Sequence, residues 1–449
     1  MSHSANHTTA IIGAGSSGLA AAKNFRSTGF SVQVFEGQGD LGGNWNYATP
    51  SARIYRSTHT ISSKPGTEYP DFPMPSGFPD YPHHSQILAY LRAYADAFAL
   101  LEHIRFETRV IKVEPTGPDD PKTPWQVTLQ DGTTARFDTV VVANGHNWHP
   151  KYPDYPGEFS GIAIHSADYK TPELFQGKRV LVIGGGNSGC DIVVEAAQAA
   201  GQVYHSTRRG YWYLPKYLLG KPADQVGDAM LALGLPLWLR RATATLTHRL
   251  MVGSPRNSRL PKPDHRLFET HPVVNSLLPY YVGHGDIVPK PDVTRFAEKT
   301  VQFVDGTSVD VDVVVFATGY QIRFPFMEEH FLNWHDGRPS LYLNVFHPQY
   351  DTLFVAGLIQ PDSGQFGLVH WQTLAAARYA AATFTGDSGA EPLRRRKADP
   401  RDDLGNGIAY KDSSRHYLEV EHWSYQKKLR RWAKRLGTPA GTANPEPSG

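Results

Sequence analysis

The chain has 449 residues, 40% of them hydrophobic, which is enough for two or three domains with substantial cores. Its formal net charge is only +2, which argues against a nucleic-acid-binding protein and against an acidic polymer as partner. The single cysteine excludes an internal disulfide and a cysteine-based zinc cluster, and no metal site is expected.

The N-terminus carries no sign of a targeting segment. It lacks a basic start followed by a long apolar run, and it leads directly into a glycine-rich motif, so no signal peptide is predicted. No window approaches ~18 uninterrupted apolar residues, so no membrane-spanning helix is expected. A cytoplasmic location fits these features and the lone cysteine. For the largely apolar residues 227–251 we favour a packed helical insertion over an interfacial membrane anchor.

The first predicted element is a strand, a glycine-rich turn and a helix over residues 8–25. A β-branched run leads into G-x-G-x-x-G at Gly13, Gly15 and Gly18. These glycines permit a tight turn, a close approach of the backbone to a pyrophosphate, and close packing of helix on strand. Glu36 ends the next strand about 20 residues later, where an acid accepts hydrogen bonds from ribose hydroxyls. This half is therefore predicted to bind an adenine dinucleotide without a 2′-phosphate, which suits FAD.

A second element of the same kind spans residues 179–197. Its glycines are Gly184, Gly186 and Gly189, and an amphipathic helix follows. The next strand ends without an acid, and Arg208 and its neighbouring arginine stand there instead. A guanidinium makes a two-pronged contact with a phosphate, which a carboxylate would repel, so NADP(H) is predicted over NAD(H).

Two such motifs on one chain predict an α/β fold with two Rossmann-like dinucleotide-binding domains, the NADPH domain being inserted within the FAD domain. The FAD domain is assigned to residues 1–170 and 316–449, the latter ending in a tail that is predicted to be disordered over 438–449. The NADPH domain is assigned to residues 171–315, with a helical insertion at about 215–280.

Repeated segments support this layout. Residues 137–145 and 311–319 are both hydrophobic strands that end in a small-residue turn. Residues 125–137 and 299–312 are both predicted to be hairpins that turn at Asp-Gly.

Two dinucleotide sites imply hydride transfer from a nicotinamide to a flavin. A disulfide reductase would need a cysteine pair to receive the electrons, and Cys190 is the only cysteine. We interpret Cys190 as a small packing residue, which leaves oxygen or a carried electron acceptor as the oxidant.

Between the two motifs lies FSGIAIHSADY, which matches F-x-G-x-x-x-H-x-x-x-Y at Phe159, Gly161, His165 and Tyr169. This resembles the fingerprint of the class B flavin-dependent monooxygenases, the flavin-containing monooxygenase-like family. The fingerprint ends in Tyr169, and in this it resembles the branch of the family that oxygenates nitrogen and sulfur. The Baeyer–Villiger branch usually has Trp at this position. The resemblance covers roughly residues 8–385. For His165 a hinge or packing role is favoured over a direct chemical one.

The resemblance implies that NADPH reduces the bound FAD, that O2 adds to give a C4a-(hydro)peroxyflavin, and that one oxygen atom passes to a small-molecule substrate. It also implies a homodimer. By resemblance, FAD is contacted by Gly13, Gly15, Ser17, Gly18, Glu36, Gly43, Trp45, Thr60, Val110, Ala143 and Gln365. NADP is contacted by Gly184, Gly186, Asn187, Ser188, Gly189, Thr207 and Arg208.

The sequence departs from the family at residue 61. Where the family often has S-N-S-S-K, this chain has HTISSK, so Ile61 replaces an Asn whose amide lies near the flavin. Isoleucine makes no hydrogen bond, and an unmade bond to a buried polar group costs about 1–3 kcal/mol. A neighbouring group (Thr60, Ser62 or His59) could stand in, the intermediate could leak peroxide, or the substrate range could have shifted.

The predicted function is insertion of one oxygen atom from O2 into a nitrogen or sulfur nucleophile, with Ile61, Ser62 and His59 as candidate catalytic positions. The alternatives are Baeyer–Villiger oxidation of ketones and an uncoupled NADPH oxidase. A redox-sensing or binding protein without turnover is the competing class, since two Rossmann domains host many functions.

Overall fold

The computed structural model describes residues 7–218, 220–253, 259–413 and 416–438. The predicted C-terminal tail, apart from Thr438, lies outside these residues. The helices are α1 (Ser16–Ser27), α2 (Lys64–Thr67), α3 (His84–Ala97), α4 (Asn187–Ala199), α5 (Ala223–Ala232), α6 (Leu237–Met251), α7 (Leu277–His284), α8 (Phe366–Thr385), α9 (Glu391–Lys397) and α10 (His422–Leu436).

The first sheet has five strands, all paired in parallel, and its central strands are almost fully buried runs of Val, Ile, Ala and Thr, as expected for a sheet covered on both faces. Helix α1 packs between this sheet and α8, and α8 also packs against α10. The strands, in spatial order, are Leu353–Val355, Thr139–Val142, Thr8–Ile12, Ser31–Phe35 and Ile104–Arg105.

The second sheet also has five parallel strands, and helices α4 and α7 pack beside its strand Gln202–Ser206 and its outer strand Ile287–Lys290. The strands, in spatial order, are Ile162–His165, Val313–Phe316, Arg179–Ile183, Gln202–Ser206 and Ile287–Lys290. The two sheets confirm the predicted α/β fold with two Rossmann-like units.

The domain boundary expected at residue 170 needs a correction. Strand Ile162–His165 pairs with Val313–Phe316 in the second sheet, so a boundary at 170/171 cuts off the edge of that sheet. The sequence hides this strand because it is an edge strand with exposed Ile162 and Ala163 and lacks the hydrophobic run of the central strands. The two connections between the sheets pair with each other, His149–Pro150 against Tyr320–Gln321.

Both predicted hairpins are confirmed. Trp125–Leu129 pairs antiparallel with Thr134–Phe137, and Thr300–Phe303 pairs with Ser308–Asp310. Each hairpin gains a third strand, from Val110–Pro115 and Val293–Ala297 respectively. The short strands elsewhere are Tyr213–Leu214 with Val273–Val274, Tyr217–Leu218 with Lys221–Pro222, Trp334–His335 with Arg338–Pro339, and Gln360–Pro361 with Glu419–Val420.

The helical insertion contains α5 and α6. Arg240 and His248 on α6 are buried, but the opposite side of the same helix exposes Trp238 and Leu250, which are 69% and 78% accessible. The insertion therefore packs against the rest of the protein along one face only. Among the described residues, no helix is both long and apolar enough to cross a membrane.

Candidate active site

The first glycine-rich loop fits a dinucleotide by its backbone geometry. Gly13 has φ +102°, and a Cβ there would lie 2.8 Å from the carbonyl oxygen of Ala143. A Cβ on Gly18 would lie 1.8 Å from the carbonyl oxygen of Gly13, so the helix and the loop touch only because this residue is glycine. Gly15, whose Cβ would meet Gly43, precedes α1 without a side-chain cap. The first N–H groups of α1 are therefore available to a pyrophosphate.

Glu36 follows the second strand and turns its carboxylate back to this loop. Its Oε2 accepts a hydrogen bond from the Ala14 N–H at 2.7 Å, and its Oε1 accepts one from the Gln38 N–H at 2.9 Å. Burial raises the pKa of Glu36, and the two N–H donors oppose that rise. A buried carboxylate beside the glycine-rich turn is placed to accept hydrogen bonds from ribose hydroxyls.

Other residues expected at FAD gather around the same loop. A Cβ on Gly357 would lie 2.2 Å from Ser17 Oγ, and Gln365 Nε2 donates to the Gly357 carbonyl at 3.0 Å, so Ser17 and Gln365 are neighbours. Trp45 packs edge-to-face on Phe366, with ring centroids 6.3 Å apart.

Val110 lies further out. It is a buried residue at the start of its strand, and it follows Thr108, whose N–H donates to the Glu36 carbonyl at 2.8 Å. The residues expected to contact FAD thus extend from the first glycine-rich loop through Glu36 to the strand Val110–Pro115.

The second glycine-rich loop repeats the first. A Cβ on Gly184 would lie 2.2 Å from the Ala317 carbonyl oxygen, and one on Gly189 would lie 2.1 Å from the Gly184 carbonyl oxygen. Gly186 precedes α4 without a side-chain cap, which leaves the N–H groups at that helix end free for a phosphate. This loop also fits a dinucleotide.

The side chains around the second loop differ in whether they are free to contact a bound nucleotide. Both ends of the Asn187 amide bind backbone, the Oδ1 accepting from Val274 N–H at 2.8 Å and the Nδ2 donating to Pro272 O at 3.0 Å. Asn187 and Ser188 can therefore offer main-chain N–H groups of α4. Thr207 is buried, whereas Arg208 is exposed and makes no hydrogen bond or ion pair within the described residues.

The three candidate catalytic positions do not come together. Ile61 and Ser62 line one cavity, and the Ser62 hydroxyl hydrogen-bonds Thr67 Oγ1 at 2.8 Å. His59 does not line that cavity; its ring is exposed, and its Nδ1 lies 2.7 Å from the Ser57 carbonyl oxygen. Thr60 is buried, and its hydroxyl has no hydrogen-bond partner among the described residues.

The fingerprint residues are structural in this chain. A Cβ on Gly161 would lie 2.6 Å from the Phe159 ring, and Tyr169 is buried, stacks on Phe175 and donates its hydroxyl proton to Glu195. His165 is fully buried, its Nδ1 accepts from Ala167 N–H at 3.0 Å, and burial lowers its pKa to about 4. These contacts support the packing interpretation of His165.

The sequence pattern of the flavin-binding monooxygenase-like family matches residues 6–395. The chain belongs to this family. It is 37% identical over 402 residues to flavin-containing monooxygenase 5 of Oryctolagus cuniculus, an alignment that covers 85% of this chain and 74% of that protein. It is 38% identical to the N-oxide-forming dimethylaniline monooxygenase 2 of the same organism, with 84% and 73% covered. This flavin-binding monooxygenase-like protein is an oxidoreductase with FAD and NADPH as cofactors.

Solved structures show the same fold. S-allyl-L-cysteine S-oxygenase from Allium sativum superposes with a TM-score of 0.64 at 22% identity, covering 95% of this chain and 88% of that one. The open structure of a cyclohexanone monooxygenase superposes with a TM-score of 0.68 at 20% identity, covering 95% and 98%. Because the fold accommodates both a sulfide oxygenase and a ketone oxygenase, it does not select between substrates.

Sequence reasoning missed the polar side chains of the cavity beside Ile61. Asp224 and Asp228 come from α5, Asp362 precedes α8, and His422 begins α10. These residues are distant in sequence and match no motif. The only local signal was the pair of acids four residues apart within an otherwise apolar helix.

Proposed function

We propose that this flavin-binding monooxygenase-like protein transfers one oxygen atom from O2 to the nitrogen or sulfur of a small amine or sulfide, with NADPH as reductant. The observation that carries the proposal is the cavity lined by Ile61, Ser62 and residues 361–363. This segment comes just before Gln365, which donates to the Gly357 carbonyl oxygen beside Ser17 of the first glycine-rich element. The cavity has a volume of about 170 Å³, the size of a small organic molecule. The fingerprint of this chain ends in Tyr169, which is typical of the branch that oxygenates nitrogen or sulfur, and this supports nitrogen or sulfur as the target atom.

The protein's part in the reaction is binding, orientation and exclusion of water. The N-terminus of α1 and Glu36 would hold FAD, and the N-terminus of α4 and Arg208 would hold NADPH. FAD supplies the chemistry of reduction by NADPH and activation of O2. Ile61 and the apolar walls of the insertion keep bulk water from the space in which the substrate meets the activated oxygen.

The test is turnover with isotopically labelled O2. The FAD-loaded protein, NADPH and labelled O2 are incubated with a tertiary amine, with a methyl alkyl sulfide and with a cyclic ketone. We expect an N-oxide and a sulfoxide, each with one labelled atom and about one NADPH consumed per product. Ester formation from the ketone alone would replace the proposal with Baeyer–Villiger oxidation, and absence of any labelled product would reject both.

A second candidate function, an uncoupled NADPH oxidase, is favoured by Ile61, which places an apolar group where the family often has an amide. The unpartnered hydroxyl of Thr60 is the nearest candidate for a compensating donor. We expect Ile61→Asn to lower the hydrogen peroxide released per NADPH by about fivefold or more, since one restored hydrogen bond contributes about 1–3 kcal/mol.

The matched control for that substitution is Ile61→Leu, which keeps the apolar character and should leave the peroxide yield unchanged. Thr60→Val should raise the yield if the Thr60 hydroxyl compensates for Ile61. Peroxide yields that do not change in Ile61→Asn and Thr60→Val would remove the argument for leakage at this position.

A further inference from the structure

The cavity beside Ile61 has an unusual charge for an otherwise apolar site. One side is formed by the FAD part of the chain at Ile61 and Ser62, and the opposite side by the helical insertion at Met230 and Leu231. Carboxylates from two segments also line the cavity, and one of these segments is the same helix α5 that carries Met230 and Leu231. The carboxylates are those of Asp224 and Asp228 on α5, and of Asp362 on the segment before α8.

Within the described part of the chain, none of the three carboxylates makes an ion pair with a cation. Asp224 accepts from the Ser63 N–H at 2.6 Å, and Asp362 accepts from the His422 N–H at 2.9 Å. Asp228 has no hydrogen bond or ion pair to any described residue. Asp224 and Asp228 are four residues apart on one helix, a spacing at which like charges repel.

Burial adds to this cost. Together with the charge of Glu421 it raises the pKa of Asp362 to about 7, and together with the charge of Asp224 it raises the pKa of Asp228 to about 6. The three acidic residues are half-buried, and carboxylates withdrawn from water beside one another are expensive to ionise without a cation. A bound cation would offset both the lost hydration and the repulsion.

The positive groups that face the cavity do not supply that cation. Within the described residues, Arg240 makes no ion pair, and its guanidinium lies over the Phe268 ring at 5.7 Å. His271 is engaged with Glu419, its Nδ1 lying 3.3 Å from Oε1.

His422 provides an independent sign of a missing partner. Its ring lines the cavity, it is 9% exposed, and neither ring nitrogen has a hydrogen-bond partner among the described residues. Burial lowers the pKa of His422, against the opposing charges of Glu421 and Asp224. A neutral imidazole in this position presents an acceptor nitrogen, which suits an N–H donor on a ligand.

We propose that the cavity selects a substrate carrying an ammonium group in addition to the nitrogen or sulfur that is oxygenated, with Asp228 and Asp362 binding the ammonium and His422 accepting a hydrogen bond from one of its N–H groups. The inference rests on the proposed function for the identity of the reacting end. The ammonium cannot be the reacting nitrogen, because a protonated amine has no lone pair to accept oxygen. Charge-assisted hydrogen bonds to two carboxylates give this end of the substrate its affinity.

The test uses three sulfides with one carbon skeleton and different ends: methylthiopropylamine, which is cationic, methylthiopropanol, which is neutral, and methylthiopropanoate, which is anionic. Their dissociation constants are measured by calorimetry on the oxidised, FAD- and NADP⁺-loaded protein. We expect the cationic sulfide to bind about tenfold or more tightly than the neutral one. The double variant Asp228→Asn/Asp362→Asn should reduce this ratio to about one.

Asp286→Asn is the matched control, since Asp286 is an exposed acid outside the cavity, and it should keep the full ratio. Flavin content and melting temperature of each variant verify that it is folded. Equal binding of the cationic and neutral sulfides by the unmodified protein would overturn the proposal, and tightest binding of the anionic sulfide would point to Arg240 instead. Binding is measured without turnover, so this result is separate from whether the bound sulfide is oxygenated.

Discussion

The two nucleotide-binding sheets follow one plan, yet each takes its closing strand from a different part of the chain. In the first sheet, Leu353–Val355 arrives after the whole second unit has been completed. In the second, Ile162–His165 arrives before the unit's own first strand. The strand, turn and helix that hold a phosphate are thus a local unit that repeats intact, whereas the strand that closes each sheet is a long-range contact. Each sheet is thus closed by a strand that lies outside its own strand, turn and helix.

The two units differ in the side chain that follows their second strand, the position expected to discriminate between dinucleotides. In both units the third glycine of the motif lies against the carbonyl oxygen of the first, Gly18 against Gly13 and Gly189 against Gly184. In both units the N-terminus of the following helix has no side-chain cap. After the second strand, however, the first unit has buried Glu36 and the second has exposed Arg208. We therefore propose that the common backbone binds the phosphates and that one or two side chains set the choice between FAD and NADPH.

The largest effect is expected from adding a methyl group to one glycine-rich loop at a time, which tests whether the two loops bind their nucleotides independently. In Gly18→Ala the new Cβ would meet the Gly13 carbonyl oxygen at 1.8 Å, and in Gly189→Ala the Gly184 carbonyl oxygen at 2.1 Å. Each clash costs about 3 kcal/mol, or about a hundredfold in affinity. We expect Gly18→Ala to lose FAD, and Gly189→Ala to keep FAD but to be reduced by NADPH only at about a hundredfold higher NADPH concentration.

Flavin absorbance per protein and the rate of flavin reduction at rising NADPH concentration measure the two losses. Gly283→Ala is the control, because its Cβ would meet nothing within 4 Å and its φ is not positive. If Gly189→Ala also released FAD, the two loops would not be the independent sites described above.

A smaller effect is expected from the side chain that distinguishes the loops. Arg208→Gln keeps a polar side chain but shortens it and removes the charge, so the 2′-phosphate of NADPH loses a charge-assisted hydrogen bond of about 2 kcal/mol. We expect the KM for NADPH to rise about thirtyfold and the KM for NADH to stay within about twofold. Arg209→Gln, one residue further on, is the matched control. Equal rises for both nucleotides would show that Arg208 does not contact the 2′-phosphate.

Much of this plan could be predicted from the sequence because its determinants are local. The glycine spacing, Glu36, the arginine after the second unit and the Asp-Gly hairpins all lie within short segments whose chemistry is readable. Strand Ile162–His165 was missed because it is a short edge strand whose first two residues are exposed, without the longer buried β-branched run of the central strands. The acids of the cavity were missed because Asp228, Asp362 and His422 meet only through the tertiary fold.

The pH dependence of FAD binding sharpens the comparison further, because only the first unit carries a titratable acid at the end of its second strand. Burial raises the pKa of Glu36, so the carboxylate gains its proton at a higher pH than an ordinary glutamate. Protonation removes an acceptor of charge-assisted hydrogen bonds worth about 1 kcal/mol. We therefore expect FAD affinity to fall about fivefold as the pH is lowered through that pKa.

Fluorescence titration of FAD at several pH values measures this slope, and Glu36→Gln should flatten it. Glu158→Gln, which changes an exposed acid, should leave the slope as it is. A slope that persists in Glu36→Gln would assign the titration to another group.

The smallest effect concerns the residue that follows the third glycine in each unit. Leu19 and Cys190 occupy this position, and both are fully buried. If Cys190 is only the packing counterpart of Leu19, Cys190→Ala should lower stability by about 1 kcal/mol, seen as a melting temperature reduced by about 3 °C, and leave flavin reduction by NADPH unchanged. Loss of reduction with flavin content and stability intact would instead show that the thiol has a role in flavin reduction beyond packing. The equivalence of the two units would then hold for their backbone and fail for their chemistry.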